Sequence, residues 1–414
     1  MRVIIAGGGI GGLSLATALA EQGIEALVFE RSEAIRELGV GINVLPHAVG
    51  HLAAWGLLDG LDAAGIRTVE LLYKTARGQE ILRQPRGCAA GLEHPQFSIH
   101  RGMLLGVIAE GARRRLGAEA IRTGHRLTGF EETGEGVVAV FETAVGTVRI
   151  AGDVLVGADG IHSTVCTALV GREEPPRWNG VLMWRGAAWA PPFLTGASMI
   201  IAGGMAAKLV LYPIHADPAR RGEVLTNWVI CAARGAAGDP LPLDQDWQAP
   251  ATAEEALAEA RGLHVSEIDL EALVRASDAI HVYPMCDREP LERWAAPGGR
   301  VTLLGDAAHP MYPVGSNGAS QAVLDAVSLA AALAAEGSAG LATYEAERRS
   351  ATAEIVRANR KGGPERVIDL VESRAPDGFD DFDAIASRTE LEAIVGSYQR
   401  ITAGADPSCE PAPR

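Results

Sequence analysis

The stretch Arg2-Val3-Ile4-Ile5-Ala6-Gly7-Gly8-Gly9-Ile10-Gly11-Gly12-Leu13 decides the fold. Arg2 to Ala6 is a short β-branched run with the pattern of a strand. Gly7, Gly9 and Gly12 follow in G-x-G-x-x-G spacing, and Leu13, Ala16 and Ala20 then share one face of a helix running to Gln22. A second apolar strand, Ile24 to Phe29, closes on Glu30, 18 residues beyond Gly12. Strand, glycine turn, helix and strand make a βαβ unit with a parallel pair. Each glycine has its own reason. Gly7 permits the tight turn, Gly9 lets a pyrophosphate reach the backbone, and Gly12 allows the helix to lie close to the sheet. The helix start, at Leu13, offers free N–H groups and the positive end of the dipole to a phosphate. Glu30, with Arg31 beside it, sits where a carboxylate accepts both hydroxyls of an adenosine ribose. The motif alone serves FAD and NAD equally.

Two further turns follow apolar strands. Val301-Thr302-Leu303-Leu304 runs into Gly305-Asp306, and the loop continues through His309, Pro313 and Gly318 to a helix near Ala319. A carboxylate at a strand's C-terminal end can accept a hydrogen bond from a ribityl hydroxyl. The Gly318 and Ala319 amides can stabilise negative charge on a reduced flavin ring. The run Val154 to Val156 ends in Gly157-Ala158-Asp159-Gly160.

Between these motifs the chain changes character. From Leu127 to Ile150 two alternating runs flank Thr133-Gly134-Glu135-Gly136, a hairpin signal. Within 176–285, strand-like segments at 181–189, 198–202, 208–214 and 224–232 are punctuated by Pro and Gly, and five of the seven Trp lie there, Trp247 among them. This predicts an antiparallel sheet with one apolar face, inserted into the α/β domain. Residues 340–371 read as helical, and the Pro-rich tail after Gly404 reads as disordered.

Composition excludes several classes. With 37 basic against 52 acidic residues, the net charge of −15 argues against a broad nucleic-acid or anionic-membrane surface. The five cysteines are scattered and form no C-x-x-C pair, which fits a reducing compartment and neither a zinc site nor a disulfide framework. No metal site is expected. The N-terminus enters a strand directly rather than a signal peptide, and no unbroken apolar run suggests a membrane span, so the cytoplasm is the expected location. Oligomeric state is not legible.

Taken together in this order, the three motifs resemble the group A flavoprotein monooxygenases of the p-hydroxybenzoate and salicylate hydroxylase type, over about residues 1–360. Within that group the chain resembles the phenazine-carboxylate monooxygenase branch. The resemblance is carried by Leu38-Gly39-Val40-Gly41-Ile42-Asn43, Pro95 to Gly102, Met183-Trp184-Arg185-Gly186, and Met311-Tyr312-Pro313 through Ala322. It implies an α/β fold, p-hydroxybenzoate hydroxylase-like: a Rossmann-like FAD-binding domain with an inserted antiparallel-sheet substrate domain. The expected division is 1–70, 101–175 and 286–360 for FAD, 71–100 and 176–285 for substrate, 361–403 as a helical segment and 404–414 as the tail.

The resemblance further implies non-covalent FAD, with NADH or NADPH as co-substrate. Oxygen is transferred from a C4a-hydroperoxyflavin to a small aromatic or heteroaromatic ring. Gly7, Gly9, Gly12, Leu13, Glu30 and Arg31 would hold the ADP half, and Gly41, Arg101, Asp159, Asp306, Gly318 and Ala319 the rest. Pro313 matches the loop proline beside flavin and substrate, and His309 is a candidate proton relay. The family pattern places an Arg three residues beyond Ser163; Cys166 stands there.

Candidate substrate walls are Met183, Trp184, Tyr212 and Trp228. Lys208 shares a strand face with Tyr212 and is a candidate anion partner. A halogenase would carry a W-x-W-x-I-P stretch and a two-dinucleotide Baeyer–Villiger enzyme a second G-x-G-x-x-G; neither is present. Epoxidation or decarboxylative hydroxylation on the same scaffold, and a non-oxygenase flavin protein, are the alternatives.

Overall fold

Val3, Ile4 and Ile5 are fully buried, as are Val154, Leu155 and Val156, because both faces of the sheet they form are covered. The computed structural model describes residues 1–35, 40–171, 175–204, 206–242 and 249–403. Leu38, Gly39, Trp247, Cys409 and the 404–414 tail lie outside the described residues. The sheet is parallel and five-stranded, ordered Val301–Leu303, Val154–Gly157, Arg2–Ala6, Glu25–Phe29, Ile121–Arg122. Helices Ile10–Glu21, Arg101–Leu116 and Gly318–Glu336 pack together on one side. A meander lies against the other.

That meander has three strands where the sequence reading has two: Arg126–Glu132, Val137–Thr143 and Gly146–Gly152. Its second turn falls at Ala144-Val145, which carry no turn signal; Gly146, with φ of 124°, supplies the conformation. The helical stretch expected over 340–371 is also interrupted. Gly340–Arg360 ends before Gly362 and Gly363, both at positive φ, and Arg366–Arg374 starts after Pro364.

The second sheet has seven strands, ordered His281–Asp287, Arg177–Ala190, Val224–Ala233, Ala207–His215, Ser198–Ala202, Glu70–Lys74, Glu80–Pro85. All neighbours are antiparallel except Ser198–Ala202 and Glu70–Lys74, which run parallel. Its outer face buries Trp184, Trp228, Leu209 and Ile230 against Ala256, Leu273 and Val274 of two short helices. Its inner face meets two things. Met183, Cys231, Tyr283 and Met285 pack on Tyr312 and Val314, and Met199, Tyr212 and Ile214 lie in a cluster with Val367, Val371, Leu391 and Val395 from the C-terminal helices. A small sheet of Gly41–Val44, Gln96–His100 and Gly65–Thr68 adjoins both units.

The helical run Val314–Arg374 contains a window apolar enough to cross a membrane, but 61% of that window is buried inside the fold. Gly318–Glu336, within it, packs along the first helix as a core helix.

Candidate active site

In a parallel sheet every strand ends at the same edge. Because Val301–Leu303, Val154–Gly157 and Arg2–Ala6 are neighbours, Gly305-Asp306, Asp159-Gly160 and the opening glycines reach that edge side by side.

The opening turn is built as its glycines require. Gly7 has φ of 116°, and a Cβ there would overlap the Ala158 carbonyl. A Cβ on Gly12 would overlap the carbonyl of Gly7. At Gly9 a Cβ would meet no protein atom within 4 Å, so its side looks into open space. The helix that follows has no side-chain cap, and Leu13 is buried in its second turn. Glu30 is oriented by two amides: Gly8 N–H donates to one carboxylate oxygen at 2.8 Å and Ser32 N–H to the other at 2.9 Å. Arg31 is exposed at the strand end.

Asp159 caps the helix Thr164–Val170 through the Thr164 amide at 2.8 Å, while its other oxygen, Oδ1, is buried without a partner. Loss of water raises this carboxyl above its ordinary range, against hydrogen bonds from Ser163 and nearby amides that lower it. Cys166, in the place of the family arginine, is buried, and its N–H bonds Ser163 Oγ at 2.9 Å.

Asp306 lies at the strand-end edge. Its surface is exposed, and it accepts no hydrogen bond from the described residues. Enough protein surrounds it that desolvation raises its carboxyl, while the His309 ring and the Arg101 guanidinium pull it down. Arg101, exposed at the start of its helix, thus lies within electrostatic range of Asp306. It also acts on Arg185 of the seven-stranded sheet.

His309 is buried rather than open to the groove. Its Nε2 donates to Asp325 Oδ2 at 2.5 Å, and its ring lies against Trp294 at 5.4 Å. Asp325 also accepts Arg348 Nε at 2.8 Å and the Gly305 amide at 3.1 Å. Burial alone would raise Asp325; the His309 and Arg348 charges outweigh it and hold the carboxyl at about 2. His309 therefore supports the loop from behind.

Pro313 is exposed between buried Tyr312 and Val314. The loop then turns through Gly315 at φ 67° and Ser316 at φ 60° into the uncapped helix start at Gly318 and Ala319. A clamp unmarked in the sequence holds it. Tyr398, on the C-terminal helix Arg388–Ala403, receives Asn317 Nδ2–H at 2.8 Å. The Tyr398 hydroxyl lies 3.1 Å from the Val314 carbonyl and 2.5 Å from Asn359 Oδ1, and Asn359 Nδ2–H donates to the Tyr312 carbonyl at 3.1 Å.

Strand alternation separates the substrate candidates. Met183 and Trp184 are consecutive, so they face opposite sides. Met183, Lys208 and Tyr212 lie on the inner face; Trp184 and Trp228 lie on the outer face, where the Trp228 indole donates to Ser277 Oγ at 2.8 Å. Lys208 forms an ion pair with Glu365, and although burial lowers its affinity for a proton, Glu365 raises it more. Tyr212 is pushed up to about 12 by burial, with Arg185 opposing. Gly41 begins a strand that closes on this face. Its N–H donates to Asn227 Oδ1 at 2.7 Å, its carbonyl accepts Arg185 at 2.9 Å, and a Cβ there would press on Tyr212 at 2.6 Å. Arg185, Tyr283 and Asn227 were not singled out as site residues in the sequence; alternation from Met183 is the signal that points to Arg185.

A cavity of about 250 Å³ lies between Val181, Lys208, Cys231 and Met285, the loop residues Tyr312 and Val314, and C-terminal residues including Arg360 and Glu365. Its walls contain none of the opening glycines, Asp306, Gly318 or Arg185, so it neighbours the motif groove rather than forming it.

The donors and open faces suit a stretched dinucleotide: space at Gly9, an aimed carboxylate at Glu30, an unbonded one at Asp306, and two uncapped helix starts. A family model described as FAD binding domain matches residues 1–359. The chain belongs to this FAD-binding family and is an FAD-dependent aromatic monooxygenase. It is 44% identical over 411 residues, 96% of each chain, to the phenazine 1,6-dicarboxylic acid hydroxylase of Lysobacter antibioticus. It is 33% identical over 373 residues, 88% of each, to a 3-amino-4-hydroxybenzoate 2-monooxygenase of Streptomyces platensis. Its fold matches that of Klebsiella pneumoniae HpxO, crystallised with FAD and uric acid, at a TM-score of 0.73 and 24% identity, covering 99% of this chain and 96% of that one.

Proposed function

We propose that this monooxygenase hydroxylates a fused-ring, nitrogen-containing aromatic carboxylic acid of the phenazine type, with NADH or NADPH as reductant and O2 as oxygen source. The likeness to the phenazine dicarboxylic acid hydroxylase supports the substrate class. The observation that carries the reading is the meeting of two surfaces: the strand-end edge with Asp306, Arg101 and the Pro313 loop, and a sheet face of Met183, Tyr212 and Tyr283 that packs on that loop through Tyr312 and Val314.

In this reading Gly7, Gly9, Gly12, Leu13, Glu30 and Arg31 hold the adenosine diphosphate half of FAD. Asp306 binds the ribityl chain, Arg101 and Gly41 border the cofactor, and the Gly318 and Ala319 amides meet its ring. Asp159 serves the cofactors from the adjacent strand end. The division into FAD-binding and substrate-sheet units given above belongs to the same reading. When bound, FAD supplies hydride acceptance from the nicotinamide and activation of oxygen for transfer to an aromatic carbon.

The chain supplies position. Tyr312 and Val314 pack with Met183 and Tyr283, which fixes the loop that carries Pro313. The Tyr212 hydroxyl keeps its proton at neutral pH and can donate it in a hydrogen bond to the substrate. The unpaired thiols of Cys88, Cys231 and Cys286 suit a reducing compartment, taken to be the cytoplasm.

The test is oxygen consumption by the FAD-loaded protein with NADH or NADPH, with and without phenazine-1,6-dicarboxylate, followed by mass analysis. Gain of one oxygen atom supports hydroxylation. Gain with loss of carbon dioxide indicates decarboxylative hydroxylation instead, and bound flavin that drives no oxygen uptake with any aromatic acid defeats the proposal.

A further inference from the structure

Arg185 stands on the inner face of the seven-stranded sheet, two residues from Met183 and so on the same side of the strand. Its neighbours are neutral acceptors. One terminal nitrogen donates to the Tyr283 hydroxyl, the other to the Gly41 carbonyl at 2.9 Å, and the guanidinium lies 5.4 Å from the Tyr283 ring centre. Its Nε is buried and has no partner. Among the described residues no carboxylate lies within ion-pair distance of it.

Two other cations near this face are neutralised. Lys208 is paired with Glu365, and Arg360 with Asp287 and Glu289. Arg185 instead has a second cation, Arg101, in electrostatic range, together with Tyr212 and Cys231. A guanidinium whose Nε is buried without an acceptor, beside a like charge, is a costly arrangement unless an anion completes it. Its fork geometry suits a carboxylate, which can accept two parallel N–H bonds. It belongs to the sheet wall, next to Met183 and Tyr212, rather than to the strand ends where the dinucleotide motifs lie.

We infer that Arg185 is the anchor for a carboxylate of the aromatic substrate, with Tyr212 and Tyr283 framing that carboxylate, and that it makes the enzyme select acids over neutral analogues of the same ring. The inference rests on the function proposed above and adds the residue that sets the specificity.

The test is equilibrium binding to the FAD-loaded protein, read from the flavin absorbance change, of phenazine-1-carboxylate and of phenazine-1-carboxamide, its neutral isostere. The wild-type protein is expected to bind the acid about tenfold or more tighter, the size of a charge-assisted hydrogen bond. Arg185→Met should abolish that preference by weakening the acid alone, and Arg185→Lys should restore part of it. FAD affinity, measured by fluorescence titration, should stay unchanged in both. Tyr212→Phe keeps the packing and should reduce the preference more mildly. Wild-type protein that binds acid and amide equally overturns this inference and leaves the proposed function standing; binding of neither overturns both. Loss of FAD affinity with an unchanged acid preference in Arg185→Met would assign the arginine to the cofactor and sink the inference.

Discussion

Asp306 accepts no hydrogen bond from the described residues, so its carboxylate contributes little to the folded chain by itself. Replacing it by Ala should leave the melting temperature of the FAD-free protein unchanged while weakening FAD binding about tenfold or more, the worth of a hydrogen bond to a charged group. A fluorescence titration paired with thermal unfolding checks both halves. Asp325 is the opposite case, a carboxylate the fold needs. Its value of about 2 lies below the ordinary 3.8. A lowered folded-state value means that its ionised form stabilises the fold above about pH 4, and that this contribution, on the order of 2 kcal/mol, is lost as pH falls towards 2. Asp325→Asn should therefore be markedly less stable than wild type at pH 7, and the gap should narrow between pH 4 and pH 2 in denaturant titrations. Sequence exposed these residues unequally. Gly7, Gly9 and Gly12 were legible because backbone geometry admits little else there, and Asp306 because it closes a strand. The burial of His309 was hidden, since its partner Asp325 lies 16 residues on, beyond the loop and inside the next helix, and looks like any helix aspartate.

Two elements carry consequences of their own. The C-terminal helix Arg388–Ala403 reaches the loop of Val314 and Asn317 through the Tyr398 hydroxyl. Tyr398→Phe removes that hydroxyl and leaves the Asn317 amide short of an acceptor, at a cost of about 1–3 kcal/mol. The same variant is expected to release more hydrogen peroxide per NAD(P)H consumed, because a looser loop admits water; a peroxide assay during turnover would show it. Nothing in the spacing of Asn317, Asn359 and Tyr398 announces this clamp, because tertiary packing alone joins them. On the strand Arg177–Ala190, the two-residue alternation alone puts Met183 and Trp184 on opposite faces. Trp228 belongs to the outer core, so Trp228→Ala should cost about 3–5 kcal/mol of stability without changing the acid-to-amide preference of protein that remains folded. A changed preference would move Trp228 back towards the substrate.

At the scale of the molecule, the proposed site is assembled from strand ends far apart in the chain and from a sheet wall inserted between them. A ligand touching both should stabilise the whole. FAD at a thousandfold excess over its Kd is expected to add about 4 kcal/mol, seen as a raised unfolding temperature, and much less in the Asp306→Ala protein at the same concentration. The general plan was readable because the α/β motifs and the Trp-rich, Pro-punctuated middle differ in period and composition. The exact joins were not. The pairing of Glu70–Lys74 with Ser198–Ala202 follows the expected grouping of 71–100 with 176–285, but Gln96–His100 pairs instead with Gly41–Val44 and Gly65–Thr68, and the third strand of the meander starts at a turn without turn residues.

The parallel joint between Glu70–Lys74 and Ser198–Ala202 constrains how the protein is made. During translation the early hairpin emerges with one edge bare, and the strand that covers it follows roughly 130 residues later, about 6–25 s at ordinary ribosome speeds. Over that interval the strand edge has no partner, and Leu71 and Tyr73 wait longer still for Val367, Val371, Leu391 and Val395, so the nascent chain presents a sticky ribbon to its surroundings. Chaperone demand should peak for chains stalled between these two strands and fall once the second has left the exit tunnel.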